Sequence, residues 1–431
     1  MDHAARSSSA PLESLTVVRI STVHPNSAMN RALLLCAAIA TALSSARAQS
    51  TCADAFRDSL SANTLRVFER VASVAPVWDD YTFSRHPLLL LADSAYRGHA
   101  ETPVCAAVWR AGRPLERIEL SARPPFSTPL YGMIDSDSIG PRAIDGAADI
   151  AVVARKAPSA VAAALRSRGI ARVVVFNVPM NLAALGRLGE MLIAAKADPA
   201  RIQADLAVHE SFHLHSQFPT WLDQTRTYAW PAWDLQPDRT ELRQRCYAGS
   251  PELSEALKSE IQTLVAAYDA VSGDSSKRDA AAGLRHAQQF IESRAARRKL
   301  QDTMTVAQGR RRISCAQAED LMELEEGATQ WIGHATSLAA GLTNSATLRG
   351  PYAGTQAEAF YQTGPLQLWV LDGLLGRDAL RRITTAIAHS TAPETGSVHA
   401  QFTDHVRRLA QGRGRSDAAA TRRSDPWREH H

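Results

Sequence analysis

From Pro199 to Pro219 the chain carries no glycine and no second proline between the two, and its apolar and polar positions alternate at helical spacing. Asp198-Pro199 supplies an N-cap and a first-turn proline, so a helix is predicted to start there and to stop at Pro219. Val208 and Phe212 give it an apolar stripe. Further helices are predicted over Cys52–Val74, Asn181–Ala195, Arg239–Val271, Asp279–Leu300, Cys315–Leu338 and Leu366–Leu375. The polar run Ser272–Ser276 separates the third and fourth of that late series of long helices. Ala151–Ala154 and the β-branched run within Arg172–Val178 read as strands. The second is either an edge strand lining a cleft or a buried central strand, since both give a continuous apolar run. Pro124, Pro125, Pro129 and Pro141 exclude a long helix or a central strand in their stretch. The pattern as a whole predicts an α+β fold, predominantly helical, with a small mixed α/β part over residues 49–149 and a larger domain over 150–410. Gln411 onward is rich in Gly, Arg, Ser, Ala and Asp, and residues 411–431 are expected to be a disordered tail.

The first of these helices carries His209-Glu210-Ser211-Phe212-His213. Positions i and i+4 share a helix face, so both imidazoles can reach one cation. Glu210, beside the first histidine, is placed to act on a water at that cation instead of coordinating it. A bland surface helix with two histidines is the competing reading. A catalytic zinc site takes three protein ligands and leaves the fourth position open. Ten residues after His209, where one class of zinc protease has a third histidine, stands Pro219. His215 follows His213 by two and points to another face. The third ligand is therefore sought downstream, on the Cys315–Leu338 helix, where Glu319, Glu323 and Glu326 share a face at i, i+4 and i+7.

His209-Glu210-x-x-His213 followed by Glu326-Gly327-Ala328-Thr329-Gln330-Trp331 resembles the gluzincin metallopeptidases. It is similar in particular to peptidase-MA-like bacterial families with a downstream Glu-Gly-x-Ala-x-Tyr segment. Thr329 and Trp331 stand where that pattern usually has Ala and Tyr. The resemblance covers roughly residues 170–376. It implies a zincin-like catalytic domain, a zinc ion held by His209, His213 and Glu326, and Glu210 as general base. Glu323 and Glu325 remain rivals of Glu326, and Glu323 is alternatively a hydrogen-bond partner that orients a ligand. Related families carry a Tyr-x-x-Gly entering the next apolar helix, here Tyr361 to Gly364. Tyr361 is thus the candidate donor to a tetrahedral oxyanion, with His334 the second choice. The expected activity is hydrolysis of peptide bonds in a peptide or protein substrate. The alternative is a non-catalytic peptide-binding module that keeps a peptidase-like cleft.

Other features set the context. Met29–Gln49 has the order of a secretory signal: Arg31, an apolar run from Ala32 to Leu43, and Ala46-Arg47-Ala48 before the cleavage point. Residues 29–48 are read as a signal peptide and residues 1–28 as a segment upstream of the true start, the other possibility being a genuine long leader. Leu35 before Cys36 is too large for a lipoprotein signal. Setting aside residues 1–48 removes four arginines, Asp2 and Glu13, and the formal charge of +4 becomes +2. Such a balance gives no electrostatic case for nucleic acid or an anionic membrane surface. No later apolar run approaches the roughly 18 residues of a membrane span. Cys52, Cys105, Cys246 and Cys315 form an even set, as expected of an exported, secreted or periplasmic chain. Cys52–Cys105 and Cys246–Cys315 is the favoured one of three pairings. Trp221, Tyr228, Trp230 and Trp233 either wall a substrate pocket or cover a core. The run Arg294, Arg297, Arg298, Lys299 is read as a solvated face. The oligomeric state is not encoded in any of these patterns.

Overall fold

The computed structural model describes residues 55–78, 81–92, 104–120, 131–135, 159–180, 196–217, 237–272, 278–343, 359–388 and 396–423, with a few single positions between them. The expected signal segment, the strand at 151–154, most of the helix at 181–195 and the aromatic stretch 221–233 lie outside them.

Helix α1 (Ser59–Ala72) starts at Asp58, whose carboxylate accepts from the amides of Leu60 and Ser61. Five strands follow, interrupted by helix α2 (Ser159–Arg166): β1 (Leu88–Ala92), β2 (Val104–Trp109), β3 (Glu116–Leu120), β4 (Tyr131–Asp135) and β5 (Arg172–Val178). They form one sheet in the order β3-β2-β1-β5-β4. Only β1 and β5 are parallel, and the other neighbours run antiparallel. The sheet therefore joins strands from both sides of residue 150.

Alternate residues of the two central strands serve two cores. Leu89, Leu91, Val173 and Val175 pack with Val161, Ala162 and Leu165 of α2. Leu88, Leu90, Val174 and Phe176 face the other way, into the core shared with α1 and helix α3 (Pro199–Phe212). Burying each of these side chains contributes roughly 1.5–3 kcal/mol. Arg172–Val178 pairs with β1 on one side and β4 on the other, so it is an interior strand covered on both faces, and β4 occupies the edge that it was a candidate for. A continuous β-branched run is what two-sided burial selects.

The rest is helical: α4 (Arg239–Glu241), α5 (Pro251–Val271), α6 (Ala280–Leu300), the hairpin β6 (Thr305–Gln308) and β7 (Arg311–Ser314), α7 (Cys315–Met322), α8 (Ala328–Ala339), α9 (Phe360–Leu375), α10 (Arg377–Ala388) and α11 (Val398–Arg423). The molecule is thus mostly helical with a small mixed sheet, as its pattern predicts for an α+β fold. The single helix expected over Arg239–Val271 is broken. After α4 a wider π turn spans Leu242–Tyr247, and a fresh helix begins where Ser250 Oγ caps the Leu253 amide and Pro251 takes the first turn. α11 continues to Arg423, so part of the stretch expected to be disordered is helical; its alanines and arginines are strong helix formers. Cys246 and Cys315 form the expected disulfide, and Cys105 is disulfide-bonded as well. Among the described residues no helix is long and apolar enough to cross a membrane.

The arginine run of α6 is not a solvated face. Arg294 and Arg297 are each 1% exposed. Arg294 pairs with Glu260 of α5 and with Glu323, while Arg297 pairs with Glu260 and Glu319. Five charges are thereby buried together between three helices. Arg298 is partly exposed and bonds Asp320 at 2.6 Å. The charge run looked exposed because its acidic partners come from helices distant in sequence.

Candidate metal centre

α3 begins as its sequence predicts, with Asp198 Oδ1 accepting from the Ala200 amide and Pro199 in the first turn. It packs along α8, and both helices change pitch at the site. α3 passes into a π turn at His213–Gln217, and α7 joins α8 through another at Glu323–Gly327. A π turn inserts one residue into an α-helix and is common at functional sites.

These elements bring His209, Glu210, His213 and Glu326 together, all buried. His209 Nε2 and His213 Nε2 are 3.1 Å apart. Glu326 Oε2 lies 3.4 Å from the first and 3.6 Å from the second. Tetrahedral ligand atoms at zinc distances stand about 3.3 Å apart, so three donors of the right chemistry converge at the right spacing for one ion. His209, Glu210 and His213 also qualify by proximity as a group able to hold a metal ion. Of the two carboxylates Glu326 is the better third donor, because one of its oxygens approaches both imidazoles. The nearest Glu210 oxygen is 3.9 Å from His209 Nε2.

The charges in this group support one another. Burial disfavours the His213 imidazolium, but hydrogen bonding and charge from Glu326 outweigh it and raise its pKa to about 9. Burial likewise works against the Glu326 carboxylate, yet hydrogen bonds from His209 and His213 and the charge of Arg239 hold it well below the usual range.

Several neighbours orient the donors. Gln217, on the π turn, accepts at Oε1 from His213 Nδ1 at 2.5 Å. Its amide nitrogen donates to the carbonyls of Leu324 and Glu325 at 3.2 and 3.1 Å. One side chain thus fixes a histidine and ties the two donor-bearing segments together. Arg239 bonds Glu326 Oε1, and Tyr361 donates to Glu326 Oε2 at 2.8 Å. Arg239 stands in no local pattern that marks it in the sequence, and the only local signal for Gln217 is its i+4 spacing from His213.

Tyr361 is therefore part of the site, as a donor to the carboxylate. His334 is buried on α8 with Nε2 against Gln330 at 2.8 Å. Burial, then the positive fields of His209 and Arg201, bring its pKa down to about 3, so it is a neutral imidazole. His215 turns away and stacks on His86 at 3.9 Å. Glu323 does not face the imidazoles. Its carboxylate is held by Arg294, Thr363 and Gln367, so it anchors the π turn from behind. Gly327 completes the close fit: a Cβ there would stand 2.8 Å from Gly364 Cα and 2.9 Å from the Phe360 carbonyl oxygen. α9, which carries Tyr361, can approach Glu326 only because both positions are glycine.

The chain matches no protein family model, no curated protein and no solved structure.

Proposed function

We propose that this chain is an exported, zinc-dependent hydrolase, most simply a peptidase of the gluzincin type. The observation that carries the reading is the convergence of His209 Nε2, His213 Nε2 and Glu326 Oε2 at 3.1–3.6 Å, with Glu210 beside them. A zinc ion bound there would lower the pKa of a coordinated water and polarise a scissile carbonyl.

The residues have distinct tasks. His209, His213 and Glu326 hold the ion. Gln217 keeps the His213 ring in the tautomer that offers Nε2, and Arg239 and Tyr361 fix the Glu326 carboxylate. Glu210, held back from the imidazoles, takes a proton from the attacking water and delivers it to the leaving amine. Tyr361 can serve an oxyanion only by giving up its bond to Glu326. The Cys246–Cys315 disulfide accords with an oxidising compartment. A binding module without turnover is the second reading; the buried carboxylate of Glu210, which a mere binder would not need, favours catalysis.

The test is metal content of the purified protein together with peptide-library digestion. One zinc per chain is expected in the wild type and in Glu210→Gln, and none in Glu326→Ala. Cleavage is expected in the wild type alone. Absence of bound metal after zinc is added back would end the enzyme reading. Zinc bound without cleavage of any peptide would leave the binding module.

A further inference from the structure

α8 starts one residue after Glu326-Gly327 and ends at Ala339, roughly 20 Å along the helix axis from the metal centre. At that end lies a cavity of about 550 Å3 lined by three arginines: Arg70 of α1, and Arg377 and Arg381 of α10. Val74, Val77 and Ala339 supply an apolar wall, and among the described residues no carboxylate lines it.

Each guanidinium is engaged through Nη2. Arg70 Nη2 donates to the carbonyls of Ala340 and Gly341 at 2.7 and 3.2 Å. Arg381 Nη2 donates to the Pro76 carbonyl at 2.6 Å. Arg377 Nη2 pairs with Asp372 at 2.7 Å, and its Cζ lies 5.5 and 5.9 Å from the ring centroids of Trp331 and Trp369. Holding the Ala340 and Gly341 carbonyls at the end of α8 and the Pro76 carbonyl beyond α1 accounts for one nitrogen each of Arg70 and Arg381. It does not account for three five-donor forks on one cavity. Arg377 also opens α10, whose N-terminal amides add positive potential.

We propose that this cavity binds a small organic phosphate, its phosphoryl oxygens taken by Arg70, Arg377 and Arg381 and its apolar body laid against Val74, Val77 and Ala339. A phosphoryl group offers three oxygens to three forks where a carboxylate offers two. The cavity is larger than inorganic phosphate requires, and its apolar wall selects for an attached hydrophobic group. The proposal stands independently of the metal centre.

The experiment is calorimetric titration of the full chain with phenyl phosphate, inorganic phosphate and benzoate at matched ionic strength. Wild type is compared with Arg70→Gln and Arg381→Gln. Saturable binding of phenyl phosphate is expected, tighter than inorganic phosphate and tighter than benzoate. Each substitution should weaken it at least about tenfold, the loss of one charge-assisted contact. Arg70 reaches the cavity from the surface, so its variant reports even if Arg381→Gln folds poorly. No saturable heat with the wild type, equal binding by the Arg70→Gln variant, or a preference for benzoate would each overturn the proposal. Zinc content, measured in parallel, should be the same in wild type and Arg70→Gln, which keeps this outcome separate from that of the metal centre.

Discussion

Tyr361 donates its phenolic hydrogen to Glu326 Oε2 at 2.8 Å, on the same oxygen that faces both imidazoles. The tyrosine therefore acts on the direction of a donor atom. Tyr361→Phe keeps the ring against Phe360 and deletes only the hydroxyl. Zinc affinity, read by chelator competition, should fall about tenfold, the lower end of what loss of a ligand's hydrogen-bond partner costs. The thermal midpoint of the metal-free protein should hardly move. Unchanged affinity would mean that Arg239 alone sets the carboxylate.

Gly327 allows α9 to reach the donor-bearing turn, and Gly327→Ala tests that contact. The added methyl meets the Gly364 backbone and the Phe360 carbonyl, neither of which can swing aside. A destabilisation of about 1–3 kcal/mol is expected from the overpacking. Because the strain falls beside Glu326 and Tyr361, zinc binding should weaken even under conditions where the variant is fully folded. Urea unfolding followed by metal titration separates the two effects.

Arg294 bridges Glu260 and Glu323 in a buried setting. Arg294→Met removes the cation and leaves both carboxylates without it. Loss of one partner from a buried ion pair costs about 3–5 kcal/mol, to be read as a fall in the denaturant midpoint. A loss under about 1 kcal/mol would show that Thr363, Gln367 and Arg297 suffice to hold the acids.

Asp205 predicts a pH dependence. Burial raises its pKa from 3.8 to about 7, partly offset by the Ser337 hydroxyl and the charge of Arg201. The folded state thus favours the protonated acid. Its contribution to stability is complete below about pH 4 and is lost as pH rises through about 7. Asp205→Asn should flatten that part of the profile, so that the variant's stability relative to wild type increases between pH 4 and 7. Identical slopes for the two proteins would overturn the assignment.

What was legible in the sequence follows the range of each interaction. The α3 start at Asp198-Pro199 and the i, i+4 histidines are local, and they were readable as written. Glu326 was reachable only through the resemblance of Glu326-Gly327 to the gluzincin segment, since helical spacing alone left Glu319 and Glu323 on the same face. Arg239 left no local signal, because its partner Glu326 is about ninety residues away, and Gln217, though it stands at i+4 from His213, ties in Leu324 and Glu325 from over a hundred residues away. The Arg294–Arg297 run was misread for the same reason: charge alternation along one helix carries no information about Glu260 and Glu319 on others. The strand at Arg172–Val178 was legible as a strand, while its place inside the sheet depended on β4, which pairs with it from forty residues upstream.

The two π turns at His213–Gln217 and Glu323–Gly327 are each one residue longer than an ordinary helical turn. Each residue of an α-helix rotates the chain by about 100°. Excising a single residue from either turn would let the helix close up in regular form and swing everything beyond the cut to a different azimuth. Glu326 and Gln217 are thus phased against the two imidazoles by these insertions. Losing one codon ahead of Glu326 in the second turn would carry its carboxylate off the histidines. Losing one after His213 in the first would part Gln217 from His213 and leave the His209–His213 spacing unchanged.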